Sequence, residues 1–103
     1  MPSLKDRVRE QLVQGVAKIA SGMIEPDEFN PTLASKVMVQ AARNVGLRLR
    51  LHARGGVSCP LCGRGPFMPK GYYLHLVRVH PRDILDLIDR EAERLSSAAR
   101  RLG

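Results

Sequence analysis

The apolar residues near the N-terminus recur every three or four positions, which is the spacing of one helix face. This pattern predicts a helix over residues 4–22. Ser3 and Asp6 stand three positions apart at its start, the spacing of a capping box with an acid in place of the usual glutamate. We expect the helix to stop at Gly22.

A second series of helical spacing follows an acidic loop. Asn30-Pro31 puts a capping residue before a proline, so we expect the second helix to begin there and to end at Gly46. Residues 47–54 then alternate between apolar and basic side chains, and this change to a period of two predicts a strand. The basic face of that strand would carry Arg48, Arg50, His52 and Arg54.

The C-terminal segment returns to helical spacing. Pro81, with acidic residues close behind it, predicts the start of an amphipathic helix over residues 82–102. The chain therefore divides into an N-terminal helical region (1–46), a central region (47–80) and a C-terminal helix (81–103).

The charge is concentrated in the central part of the chain. The 103 residues carry a net charge of +7, yet residues 1–30 contribute −1 and residues 81–103 contribute zero. Residues 31–80 hold eight basic side chains and no acid. A generally basic protein would spread its charge more evenly, so this distribution favours a polyanionic partner.

Two cysteines and two histidines in the central region have the spacing of a metal site. Cys59 and Cys62 are separated by two residues, twelve residues follow before His75, and four more precede His80. Two thiolates and two imidazoles can complete the tetrahedral shell of a zinc ion. A Cys59–Cys62 disulfide or a thioredoxin-like redox pair would need an oxidising compartment or a βαβ context, and the sequence signals neither.

In this pattern the chain resembles the C2H2 zinc-finger family, over residues 57–80 only. The resemblance implies one structural Zn²⁺ bound by all four side chains, a β-hairpin that bears the cysteines and a helix that bears the histidines. With the flanking elements it implies an α+β fold: two N-terminal helices, a basic strand, one ββα C2H2 zinc finger and a C-terminal amphipathic helix.

The sequence departs from the family's pattern at two bulky positions. Pro66 stands where an aromatic residue is usual, with Phe67 one position later, and Tyr72 stands where leucine is usual. We expect Phe67 and Tyr72 to form the small core of the finger, with a shifted hairpin.

The finger helix lacks the side chains that read DNA sequence. In fingers of this family three helix positions contact base edges, and here those positions hold Met68, Gly71 and Leu74. None can make the bidentate hydrogen bonds that distinguish base pairs. The predicted nucleic-acid contacts are instead basic side chains suited to phosphate: Arg48, Arg50, His52, Arg54, Arg64, Lys70 and Arg78.

These features predict a zinc-stapled protein that binds nucleic acid through phosphates, with structured RNA favoured over DNA. In type the chain is similar to the small zinc-bearing proteins of archaeal ribosomes, which implies a ribosomal subunit as partner. One alternative is a DNA-binding transcription regulator, in which the terminal helices form a homodimer that brings two fingers together. Another is a protein-interaction module that uses Met68, Leu74 and Leu76, although the acid-free segment argues against that as the main role.

Other classes of protein are not expected. No apolar run has the length of a membrane span, and the first residues lack the apolar stretch of a signal peptide, so we expect a cytoplasmic protein without a membrane partner. The cysteines and two of the three histidines are assigned to zinc, and the acids form no convergent group. Neither enzymatic activity nor a small-molecule substrate is therefore expected.

Overall fold

The computed structural model describes residues 3–51 and 58–102, and these residues form four α-helices. A short 3₁₀ turn, Pro26–Glu28, lies between the first two helices. The helices are α1 (Leu4–Ala20), α2 (Lys36–Leu51), α3 (Pro69–Val79) and α4 (Pro81–Leu102). No β-strand occurs in this part of the chain, so the predicted α+β fold, with its basic strand and ββα finger, is wrong.

Both ends of α1 follow the local signals in the sequence. The Ser3 hydroxyl accepts a hydrogen bond from the Asp6 backbone N–H at 3.2 Å, and the Ser3 N–H donates to the Asp6 carboxylate at 3.3 Å. This reciprocal pair is the predicted capping box. The helix ends at Ala20, and Gly22 follows with a φ of +80°, a conformation that glycine adopts without strain.

Helix α2 begins later and runs further than its sequence pattern predicts. Ser35 caps it, because the Ser35 hydroxyl accepts from the Met38 N–H at 3.3 Å. The helix continues through Gly46, where a Cβ would lie 2.7 Å from the Cβ of Ile19 in α1. Gly46 therefore permits the close approach of two helices and does not end one.

The predicted strand fails because residues 47–51 extend α2 by another turn. Leu49 is buried and continues the inward face that includes Val45, four residues earlier. The predicted contacts His52 and Arg54 lie outside the residues that the structure describes.

The four helices share one hydrophobic core. Helix α2 packs between α1 and α4, and α3 packs mainly on α1. Cys59, which precedes α3, and Tyr72 of α3 belong to this same cluster. The largest fully buried side chains are Leu12, Val16, Ile19, Val45, Cys59, Tyr72, Leu76, Ile84 and Ile88. None of the described helices is long and apolar enough to cross a membrane.

Candidate metal centre

The four predicted ligands come together in one cluster. The ligand atoms of Cys59, Cys62, His75 and His80 all lie within 4.8 Å of one another. Bonds of about 2.0–2.3 Å to a tetrahedral ion would leave such atoms about 3.3–3.8 Å apart. The Cys62 Sγ and the His75 Nε2 are already 3.3 Å apart. A small inward movement of the other atoms completes the shell, so the group can hold one metal ion.

The cysteines lie on a tight turn, not on the predicted hairpin. The Gly63 N–H donates to the Cys59 carbonyl and the Cys59 N–H donates to the Arg64 carbonyl, both at 2.7 Å. Gly63 has a φ of +77°, which the turn requires and glycine tolerates. This turn presents both sulfur atoms to the same side.

Backbone N–H groups around the turn point to the two sulfur atoms. The Arg64 N–H donates to Cys62, and this is the main reason that the pKa of the Cys62 thiol is lowered. Burial raises the pKa of Cys59, although the N–H groups of Leu61 and Cys62 oppose that effect. Such donors stabilise thiolates, the form in which cysteine binds metal.

His80 has one ring nitrogen that lacks a bonding partner in the described part of the chain. Its Nδ1 lies 2.8 Å from the Asp83 carboxylate, while its Nε2 is buried without a hydrogen-bond partner among the described residues. A buried polar nitrogen without a partner costs free energy. Because this nitrogen belongs to the Cys2His2 group, a metal ion would supply the missing bond.

The two histidines lie on either side of the junction between α3 and α4. His75 belongs to α3 and His80 caps its C-terminal end, with its N–H donating to the Leu76 carbonyl at 3.1 Å. Burial and nearby positive charge lower the pKa of His75 and favour its neutral, metal-binding form. Burial also acts to lower the pKa of His80, but the Asp83 carboxylate and the nearby Cys62 sulfur outweigh it and the net direction is upward.

Two aromatic side chains connect this centre to the helical core. The Phe67 ring stacks on His75 at a centroid distance of 4.6 Å and lies 6.3 Å from the ring of Tyr72. Tyr72 is fully buried, and its hydroxyl donates to the Leu49 carbonyl of α2 at 3.3 Å. Phe67 and Tyr72 therefore lie together as expected, but Tyr72 belongs to the common core and not to a separate finger.

Two of the predicted phosphate contacts are bound within the molecule. Arg48 pairs with the Glu91 carboxylate at 2.6 Å. Arg50 donates to the carbonyls of Ile19 and Ile24 at 2.7 and 2.6 Å. Residues two apart on a helix point about 200° apart, so these arginines do not share the face that a strand would have given them.

The remaining predicted residues of the site differ in exposure. Arg64, Lys70 and Arg78 are exposed and form no salt bridge within residues 3–51 and 58–102. Of the apolar residues considered for a protein partner, Met68 is 78% exposed while Leu76 is fully buried. Leu76 therefore belongs to the core.

One buried acid, Glu91, was not predicted from the sequence. Glu91 is 3% exposed and accepts hydrogen bonds from Asn44, Arg48 and Arg94 at 2.6–2.9 Å. The bonds from Asn44 and Arg48 join α2 to α4, while Arg94 lies on α4 itself. The available signal was its position, because Glu91 falls three residues after Ile88 on the apolar side of α4.

No family model matches this chain, and neither a curated protein nor a solved structure matches it.

Proposed function

We propose that this protein is a zinc-stapled nucleic-acid-binding protein that contacts phosphates and takes structured RNA as its ligand. The observation that carries the proposal is a juxtaposition: the Cys2His2 group and three exposed cations lie in the one segment of the chain, residues 31–80, that has no acid. Charge of one sign over fifty residues suits a polyanion.

Zinc is the metal that this donor set fits best. Two thiolates and two neutral imidazoles around Zn²⁺ give a centre with no net charge, which can be partly buried at little cost. Thiolate and imidazole donors in a tetrahedral group are typical of zinc. Four protein ligands leave no position for substrate, which supports a structural ion.

The metal would hold the region between α2 and α4 on the rest of the fold. Cys59 is buried in the common core, and the histidines lie at the α3–α4 junction. An ion bound to both therefore ties the junction to the core. Binding of structural zinc supplies on the order of 10 kcal/mol in small zinc domains.

Recognition through backbone and shape favours RNA over DNA. Met68, Gly71 and Leu74 offer no bidentate hydrogen bonds to base edges. Structured RNA is recognised largely through phosphates, shape and splayed bases, for which basic side chains are sufficient. A ribosomal subunit is the particular RNA-containing partner that we propose.

The first experiment measures metal and nucleic acid together. We expect elemental analysis to find one zinc per chain, and a structured RNA to bind more tightly than duplex DNA of equal length. Affinity should fall steeply with salt. Removal of the metal by a chelator should lower the melting temperature and weaken RNA binding, while treatment with chelator already saturated with zinc serves as the control.

Three results would contradict this function or a named part of it. Purified protein without zinc, whose stability does not respond to added zinc, would remove the metal assignment. A sharp consensus from random duplex DNA would favour the dimeric transcription regulator. Protein that binds RNA but does not co-sediment with ribosomal subunits would reject the ribosomal partner and leave RNA binding in place.

A further inference from the structure

The arginines of α2 are held by acceptors inside the molecule. Arg43 donates from Nε and Nη2 to the Phe29 carbonyl at 3.1 and 2.8 Å. Arg48 pairs with buried Glu91, and Arg50 binds carbonyls at the end of α1 and in the loop after it. Three of the eight cations in the acid-free segment therefore have donor groups that are already in use.

Three exposed cations lie at the metal end of the molecule instead. Arg64 belongs to the cysteine turn, because its carbonyl accepts the Cys59 N–H. Lys70 and Arg78 lie eight residues apart on α3, which places them about 12 Å apart along the axis and within about 80° of one another around it. These three residues are called the α3 basic face below.

The opposite side of α3 is closed by packing, so this helix has one free side. Tyr72 and Leu76 are fully buried against the core. Lys70 and Arg78 are exposed, and half-buried Leu74 lies between them in the same i, i+4, i+8 row. No salt bridge engages either cation within the described part of the chain.

The first acids of α4 contact other residues, and none forms a salt bridge with the α3 basic face in the described part of the chain. Asp83 contacts His80 at 2.8 Å, and Asp86 pairs with Arg90 at 3.1 Å. The positive charge of Arg64, Lys70 and Arg78 is therefore left for a partner outside the chain.

We propose that the α3 basic face is the RNA-binding surface of this protein, where Arg64, Lys70 and Arg78 bind phosphates of the RNA backbone. This inference rests on the proposed function and names the part of the molecule that performs it. Charge complementarity identifies the occupant, because three exposed cations that form no salt bridge among the described residues match a phosphate chain. Leu74, between the two helix cations, has no group that hydrogen-bonds a base edge, so the contacts are to the backbone.

The metal centre would set the geometry of this surface. Arg64 follows the ligand Cys62 by two residues, while Lys70 and Arg78 share α3 with the ligand His75. One ion bound to both the turn and α3 would fix the position of Arg64 relative to Lys70 and Arg78.

The test compares two triple variants of equal charge on the full chain. One combines Arg64→Ala, Lys70→Ala and Arg78→Ala, and the control combines Lys5→Ala, Arg7→Ala and Lys18→Ala, which are exposed residues of α1. For the first variant we expect unchanged zinc content, weaker RNA binding, and a slope of log K against log salt that is reduced by about two to three. The control should keep nearly the wild-type slope.

The outcomes separate this inference from the function on which it rests. If the wild type binds RNA and the first variant binds it equally well, the α3 basic face is not the binding surface, although the proposed function stands. Equal losses in both variants also reject this surface, because binding then follows net charge. A variant that loses more affinity for duplex DNA than for RNA rejects RNA as the ligand, and wild-type protein that binds no RNA rejects both proposals.

Lys70→Ala alone provides the same test if the triple variant does not fold. For this variant we expect the slope of log K against log salt to change by about one.

Discussion

Asp83 and His80 are joined by a 2.8 Å contact between the carboxylate Oδ2 and the imidazole Nδ1. Asp83 lies in the first turn of α4, so a residue at the start of one helix orients the histidine that caps another. A carboxylate on the outer nitrogen holds the tautomer whose Nε2 binds metal and raises the basicity of that nitrogen.

Replacement of Asp83 should therefore weaken the metal site without removing a ligand. For Asp83→Ala we expect zinc affinity to fall about 10–100-fold, measured by competition with a chromogenic chelator. Asp86→Ala is the matched control, since Asp86 lies on the same helix and pairs with Arg90 instead. Equal affinities for the two variants would show that Asp83 does not support the ligand.

Two glycines in the helices, Gly46 of α2 and Gly71 of α3, should respond oppositely to alanine. In Gly46→Ala the new Cβ would meet the Cβ of Ile19 at 2.7 Å and the backbone carbonyl of Val16 at 3.3 Å, so overpacking should destabilise the fold by about 1–3 kcal/mol. In Gly71→Ala the nearest atom is 3.8 Å away, on Phe67, and higher helix propensity should add up to about 1 kcal/mol. Urea unfolding of zinc-loaded protein measures both. A Gly46→Ala variant as stable as Gly71→Ala would contradict the close approach of α1 and α2.

Glu91 should make stability depend on acid pH. The hydrogen bond from Arg94, with those from Asn44 and Arg48, outweighs burial and lowers the pKa of Glu91 from 4.5 to about 2. Because the folded state lowers this pKa, the contribution is present above pH about 4.5 and is lost as the pH falls toward 2. The difference in melting temperature between wild type and Glu91→Gln should shrink across that range. Loss of a bound metal in acid would affect both proteins alike, so the difference isolates Glu91. A constant difference would contradict the assignment.

Arg50 should act on stability and not on RNA binding. Arg50→Lys keeps the positive charge but loses the forked guanidinium whose Nε and Nη2 bind the carbonyls of Ile19 and Ile24, so we expect a loss of about 1–3 kcal/mol with an unchanged salt slope. Arg90→Lys, at an exposed pair on α4, is the control and should change stability little. If Arg50→Lys is as stable as the wild type but binds RNA more weakly, Arg50 contacts phosphate, as the sequence predicts.

The metal-ligand cluster and two helix starts could be predicted from the sequence alone. The cluster of Cys59, Cys62, His75 and His80 follows from spacing, because a two-residue gap forms a turn and the histidines lie on and just after one helix. The capping box of Ser3 and the start of α4 near Pro81 also depend only on neighbouring residues. These signals held because each depends on residues that lie close together in the chain.

Only the tertiary structure decided the state of residues 47–51 and the role of Gly46. Five alternating residues fit a strand or the last turn of a helix, and the choice fell to contacts distant in sequence: Leu49 in the core, and Arg48 against Glu91, 43 residues away. Gly46 is a helix stop by local rules, but the approach of Ile19 from α1 gives it another role. A side chain's partners across the core are absent from the local pattern, so burial and ion pairing overrode local preference here.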